Sequence, residues 1–331
     1  MITPVPVPRE IIDFIKTGSK FLVAGHEEPD GDCMGSQLAL VSALRRLGKE
    51  AIPCSAGPFK RTEIMPFAAE FIAAPGEKEQ EGARVIVTDC SALSRTGDLE
   101  PCLKGLPLAF IDHHAMGDRP AEKDGIVIFL DPDAPSVTVM ILALIEALGL
   151  TLTPEEAEFL FFGLCTDTGF FRHVDTGGTE TFTCASRLIQ AGANPKKAFQ
   201  AINGGKSLNS RRLMGRVLSR AEEHFWGKLI LSSEEYEETQ SFGLQGRDSD
   251  MIYQLLQSVA GVEVVVVIRQ ESIEPSPGKC AIGFRSRDQV DVSAIAASFG
   301  GGGHKNAAGL MVPGTIAEWK PKILAAFEKI L

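Results

Sequence analysis

Four short apolar runs in the first half of the chain each lead to an acid or a histidine. "KFLVAG" runs into His26, and "RVIVTD" ends on Asp89. "LAFIDHH" ends on Asp112, His113 and His114, and "GIVIFLD" ends on Asp131. Each run has the length of one strand and little of the polar alternation of a sheet with a wet face. Bounded by turn signals, with helical patterns between several of them, they predict an α/β layer with a mostly parallel sheet flanked by helices. Met34, Leu38, Val41 and Leu44 recur at helical spacing behind the first run, and "AIPCS" reads as a further short strand.

Mainly helical stretches follow at about 135–149, 154–165, 179–192, 195–203 and 208–222. The pattern then changes. "HFWGKLILSS", "GVEVVVVIRQ", "GKCAIGFRSRD" and "AAGLMV" read as strands of a different, mixed sheet, with "SDMIYQLLQSVA" and a closing helix around it. The expected division is a catalytic domain over 1–190, a helical linker over 191–222 and a smaller C-terminal α/β domain over 223–331.

With 43 acids against 33 lysines and arginines, the formal charge is −10. That excludes a protein whose main task is to grip long duplex nucleic acid, which rests on neutralising phosphates. It leaves room for short nucleotides. Seven cysteines lie at irregular spacing with no C-x-x-C, so a disulfide framework or zinc ribbon is not expected and a reducing compartment is. The longest apolar segment, "VTVMILALIEALGL", is short for a membrane span and contains Glu146. "MITPVPVPREIIDF" lacks the pattern of a signal peptide. The expectation is a cytoplasmic chain with no membrane partner.

One acid after a strand is ordinary, because Asp is a common helix N-cap. Asp32 alone would read that way, and Asp131 before Pro132 would open a turn. Several such ends on one parallel sheet converge on its carboxyl edge, where open α/β sheets bind ligands. The helix "EFLFFGLCTDTG" adds Asp167. Crowded carboxylates repel or take up protons unless a cation joins them. Oxygen and imidazole donors without thiolate suit Mn²⁺, with Mg²⁺, Co²⁺, Fe²⁺ or Zn²⁺ as alternatives. The candidates exceed one coordination shell, which points to two ions able to clamp both oxygens of an in-line phosphoryl displacement. In "HEEPDGDCMGS", Pro29 and Gly31 shape a turn that can present Asp30 and Asp32 to neighbouring ions.

These motifs, in this order, resemble the DHH phosphoesterase family, and more closely its stand-alone bacterial members that are oligoribonucleases and pAp phosphatases. The resemblance is carried by "HEEPDGDCMGS", "VTDCS", "IDHH" and "GLCTDTGFFR". It continues in "FRSRDQVDVSAIAASFGGGGHKNAAG", which is similar to the DHH-associated substrate domain. The resemblance implies one ion held by His26, Asp30 and Asp89, and another held by Asp32, Asp89, His113 and Asp167. It implies that Asp112 orients a histidine and that His114 faces the scissile phosphate. The implied substrates are short RNA oligonucleotides and pAp, and a homodimer is a candidate assembly.

In the C-terminal half, glycines 300 to 303 before His304 allow backbone N–H groups to approach a phosphate. Gly301, Gly302, Gly303 and His304 are therefore candidate substrate contacts. Arg285 and Arg287 alternate with Ser286, which on a strand puts both on one face for phosphate pairing. Glu27 and Glu28 depart from the family pattern and are expected in solvent. Ser136 and Thr138 remain of a polar motif whose Glu is replaced by an apolar residue. Two other readings compete: a cyclic di-AMP or pApA phosphodiesterase, and a catalytically silent nucleotide-binding protein. The second would be favoured by a missing ligand, but every expected ligand is present.

Overall fold

Residues 21 to 24 explain the first sheet. Phe21 and Val23 enter one apolar cluster, and Leu22 and Ala24 enter another on the opposite face. Ile86 and Ile111 follow the first pattern, and Val85, Val87 and Phe110 the second. A strand buried on both sides has no face to leave polar, so these runs are apolar throughout.

The structure is a computed structural model that describes residues 5–114, 125–174, 178–243, 247–287 and 289–331. It divides into two units, Met1–Gly205 and Lys206–Leu331. The first contains α1 (Arg9–Thr17), β1 (Lys20–Ala24), α2 (Gly31–Arg46), β2 (Glu50–Cys54), α3 (Glu77–Gln80), β3 (Arg84–Thr88), α4 (Glu100–Leu103), β4 (Leu108–Asp112), β5 (Ile126–Leu130), α5 (Val137–Ala147), α6 (Pro154–Asp167), α7 (Thr179–Gln190) and α8 (Pro195–Asn203). Its sheet runs β2-β1-β3-β4-β5, and every neighbouring pair is parallel. The chain leaves β1 for one edge, then returns beside it as β3 and proceeds to the other edge. The gap between the carboxyl ends of β1 and β3 is therefore the topological switch point.

The second unit contains α9 (Leu208–Ser219), β6 (Glu222–His224), β7 (Leu229–Glu234), α10 (Tyr236–Phe242), α11 (Ser249–Gln257), β8 (Val264–Ser272), β9 (Lys279–Ser286), α12 (Val292–Ser298), β10 (Gly302–His304), β11 (Ala307–Pro313) and α13 (Ile316–Phe327). Its sheet runs β10-β11-β9-β8-β7-β6 and is mixed, with only β7 and β8 parallel. Val264, Val266, Ile268, Ile282 and Phe284 face α12 and α13, whereas Val265 and Val267 face α9 and α11.

The segment 191–222, expected as a linker, is shared between the units. Ala198 of α8 joins the core of the first, and Met214 and Val217 of α9 join the core of the second. "HFWGKLILSS" is a hairpin rather than one strand, because Phe225 and Trp226 take left-handed φ values of 51° and 59° between β6 and β7. No helix among the described residues is long and apolar enough to cross a membrane.

Candidate metal centre and nucleotide pocket

Asp89 follows β3 at the switch point. It is 3% exposed and holds a left-handed φ of 64°, which costs a residue with a Cβ. Among the described residues, its Oδ1 is buried without a hydrogen-bond partner. Burial, then the charges of Asp32, Asp30, Asp167 and Asp112, push its carboxyl well above the ordinary range. An unpartnered buried carboxylate oxygen among acids is a feature that native proteins normally satisfy with a donor or an ion.

Imidazoles surround it. His26 Nε2 lies 3.5 Å from Asp89 Oδ2, and His113 Nε2 lies 3.8 Å from Asp89 Oδ1 and 3.7 Å from Asp167 Oδ2. The other nitrogen of each ring faces a backbone carbonyl. His26 Nδ1 donates to Glu27 O at 2.8 Å, and His113 Nδ1 donates to Ala134 O at 3.1 Å. This fixes the proton on Nδ1 and turns the Nε2 lone pairs toward the acids, the arrangement in which imidazole binds a metal.

Asp32 starts in the first turn of α2 but is held by α5. Its Oδ2 accepts from Val137 N–H at 2.7 Å, and its Oδ1 accepts from Thr138 N–H at 2.9 Å. The N-cap of α5, Ser136, makes no side-chain cap of its own; its hydroxyl pairs with that of Thr138 at 2.6 Å. Asp32 thus supplies the missing acceptor and the negative charge a helix N-terminus favours. Even so, burial, then Asp167 and Asp30, raise its carboxyl to about 8.

Asp167, at the end of α6, is raised chiefly by burial, with His113 opposing. A Cβ on Gly35 would lie 2.5 Å from Phe159 O, and one on Gly163 would lie 3.0 Å from Asp32 Cα. Glycine at these positions lets the α2 and α6 backbones touch, which brings Asp32 and Asp167 to one place.

Asp112 is also buried, but it is paired. Burial pushes its carboxyl up, yet hydrogen bonds from the His114 ring and backbone and from Ser91 outweigh it and hold it below the ordinary range. His114 Nδ1 donates to Asp112 Oδ1 at 2.7 Å, and that bond raises the imidazole above its ordinary value. His114 is half exposed.

Three ligand clusters form among the described residues: Asp32, His113 and Asp167; Asp89, His113 and His114; and His26, Cys33 and Asp89. Asp30 is absent from them. Its Oδ1 caps α2, accepting from Asp32 and Cys33 N–H at 3.0 and 3.1 Å. Asp131 accepts from Asp133 N–H in a turn and stays outside the clusters. Glu28 pairs with Lys60, and Glu27 lies against Gly97, with its N–H donating to Arg95 O at 2.7 Å. These two acids are exposed but pin the loop that carries His26.

The second unit holds a cavity of about 460 Å³. Its floor is the alternating small face of two strands, Ala281 and Gly283 on β9 and Ala307 and Gly309 on β11. Arg247, Arg269 and Arg285 line it with Tyr253, Gly302 and Gly303. The Arg285 guanidinium stacks 4.7 Å from the Tyr253 ring centre. Arg247 is paired to Glu234 through Nε and Nη2 and Arg269 to Glu271 through Nη2, while Arg269 Nε is buried without a partner among the described residues. The glycine run forms β10, paired antiparallel with β11. A Cβ on Gly301 or Gly303 would fall 2.5 Å from a β11 carbonyl, so both are glycine for close packing.

A bifunctional oligoribonuclease and PAP phosphatase, NrnA, of Thermus thermophilus is 32% identical over 93% of this chain and 87% of its own length. The DHH family N-terminal domain matches residues 20–164, and the DHHA1 domain matches residues 231–331. The chain belongs to the DHH family. The NrnA of Bacillus subtilis, with the same bifunctional name, is 26% identical over 97% of both chains. The crystal structure of an exopolyphosphatase-related protein from Bacteroides fragilis shares the fold, with a TM-score of 0.82 over 99% of each chain at 23% identity.

In the first unit, His26, Asp32, Asp89, His113, His114 and Asp167 come together in the clusters, and Asp112 stands behind His114. Asp30 stands beside them as a helix cap. In the DHHA1 domain, Arg285, Gly302 and Gly303 line one cavity, and Gly301, His304 and Arg287 do not. Arg287 lies past the end of β9, and its Nη2 donates to Gln257 O at 2.7 Å. Sequence reasoning missed Cys33 as a neighbour of the ligands, the Val137 and Thr138 amides, and Arg247, Arg269 and Tyr253. Ser136 and Thr138 were the visible trace of the amide site.

Proposed function

We propose that this chain is a divalent-metal-dependent phosphoesterase that hydrolyses short oligoribonucleotides and pAp to mononucleotides, with Mn²⁺ as the resident metal. The unpartnered Asp89 Oδ1, strained into place between His113, His114 and His26, carries the reading. Asp32, Asp89, His113 and Asp167 would hold one ion, and His26, Asp30 and Asp89 the other. When bound, such a pair supplies a nucleophilic water at neutral pH and charge to offset the developing oxyanion.

The chain's own groups do the rest. Asp112 keeps the His114 proton on Nδ1 and stabilises the imidazolium, whose Nε2–H is then available to the leaving oxygen. The α5 amides fix the Asp32 carboxylate so that it does not turn when charge builds. In the DHHA1 domain, Arg285 and Arg269 offer planar donors to a phosphate, and the floor of glycines and alanines accepts a flat base. The relatives' names, taken with this donor set, support short RNA and pAp over other phosphoesters.

The deciding experiment strips the protein of metal, restores Mn²⁺, Mg²⁺, Co²⁺, Fe²⁺ or Zn²⁺ singly, and offers pAp, short RNA, short DNA, pApA and pyrophosphate. Mn²⁺-dependent turnover of pAp and short RNA is expected, and its loss in Asp89→Ala. Turnover of pyrophosphate alone, or none with any ion, overturns the reading.

A further inference from the structure

The turn after Asp167 is wound the wrong way. Gly169, Phe170 and Phe171 have φ values of 56°, 57° and 70°, so successive residues, two of them bulky, sit in the left-handed region. L side chains avoid that region, and a run of them persists only where the surroundings enforce it. Here Phe170 N–H donates to Cys165 O at 2.6 Å, and Phe171 N–H donates to Thr168 Oγ1 at 3.1 Å.

The turn throws both rings sideways into a chain of aromatics. Phe170 meets Phe171 edge-on at 5.7 Å and Phe199 of α8 edge-on at 5.2 Å. Phe171 stacks on Phe182 of α7 at 5.3 Å with 27° between planes. The inner rings rest against the core, but the ends do not. Phe182 is 54% exposed and Phe199 is 51% exposed. Scattered exposed phenylalanines are ordinary. Two that terminate one continuous chain of ring contacts, built by a strained turn within a few residues of a candidate metal ligand, are not scattered. Arg172, the next residue, is exposed, and its Nε donates to Gly169 O at 2.7 Å, so the turn also carries a positive charge.

The geometry points to a stacking platform for the bases of a short single-stranded oligonucleotide, with Phe182 and Phe199 as its contact faces. Open aromatic rings, with positive charge on the segment that carries them, are what single strands bind without regard to sequence. The platform would hold nucleotides beyond the one being cleaved, and so would separate oligonucleotides from pAp, which has no further base. This inference rests on the phosphoesterase reading above.

The test compares wild type with Phe182→Ser, Phe199→Ser and the double variant on pAp and on an RNA pentamer, all with Mn²⁺ restored. Both positions are surface-exposed, and thermal melts check folding. The double variant is expected to raise the pentamer KM by about tenfold or more, the size of losing base–aromatic stacking, with kcat little changed and a far smaller effect on the pAp KM. Phe182→Trp should restore the pentamer KM. A pentamer carrying 2-aminopurine, bound to metal-stripped protein, should be quenched by wild type and not by the double variant.

If wild type hydrolyses the pentamer and the variants match it, the platform is wrong and the phosphoesterase reading stands. If wild type hydrolyses neither substrate, that reading falls, and the quenching decides the platform by itself. A wild-type dimer that the substitutions dissociate, with the pentamer KM unchanged, would assign the face to a second copy and overturn the proposal.

Discussion

Asp32 Oδ2 accepts a hydrogen bond from Val137 N–H at 2.7 Å, joining the first turn of α2 to the first turn of α5. The same carboxylate faces His113 and Asp167. Asp32→Asn keeps the size but leaves one α5 amide facing an NH₂ group and removes the charge. Mn²⁺ affinity, read by calorimetry, is expected to fall by at least about tenfold.

The raised carboxyls make metal binding depend on pH. Without metal, burial and the neighbouring acids raise the Asp32 carboxyl from its ordinary 3.8 to about 8 in the folded chain. Between those values the native state holds more protons than the unfolded chain, so stability falls as pH rises through the window. Stripped protein should therefore melt progressively lower from about pH 5 to about pH 8, relative to metal-loaded protein. Calorimetry in buffers of different ionisation enthalpy should show protons released on binding. Equal melting shifts across the range would contradict the burial of Asp32 and Asp89.

Asp112 raises the His114 imidazole. In Asp112→Asn that support is lost, and the fall of kcat on the alkaline side should move to lower pH. The drop in kcat at neutral pH is expected to be on the order of 10- to 100-fold, with metal content unchanged. A pH profile of the loaded enzyme checks it.

Arg285 and Arg287 separate cleanly. Arg285→Ala removes a guanidinium from the cavity and from the Tyr253 ring, and should raise the KM for pAp and short RNA. Arg285→Lys should not restore it, because a point charge cannot stack as a planar group does. Arg287→Ala should leave both KM values near wild type, since its Nη2 already serves Gln257 O.

Gly35→Ala tests the helix contact. Its Cβ would fall 2.5 Å from a backbone oxygen that cannot move aside, so α2 and α6 must separate. A loss of about 1–3 kcal/mol in urea unfolding is expected, with weaker Mn²⁺ binding as Asp32 and Asp167 part.

Much of the first sheet was readable because a strand buried on both faces leaves an unbroken apolar run, and its last residue sits at the ligand edge. Asp89, Asp112 and His113 could be placed that way. The left-handed φ of Asp89 could not, because it depends on what surrounds the loop. Nor could the bond from Thr138 to Asp32, whose partners lie on separate helices far apart in sequence. Arg247 and Arg269 carry no motif in the sequence; the register of β8 on β9 brings Arg269 to the cavity, and the ion pair with Glu234 of β7 holds Arg247 there. Asp30, expected as a ligand, is seen in the structure as the cap of α2, the local role any Asp before a helix can take.

The donors of the metal centre begin at His26 and end at Asp167, on segments that meet only after β1, β3, β4 and α6 have taken their places. During synthesis, the chain that has emerged through β4 carries most of the acids but neither Asp167 nor the helix whose amides hold Asp32. An ion met at that stage finds a partial and mobile set of donors. The full donor set therefore exists only once α5 and α6 have formed, so the site is a product of the folded domain and not of any one segment.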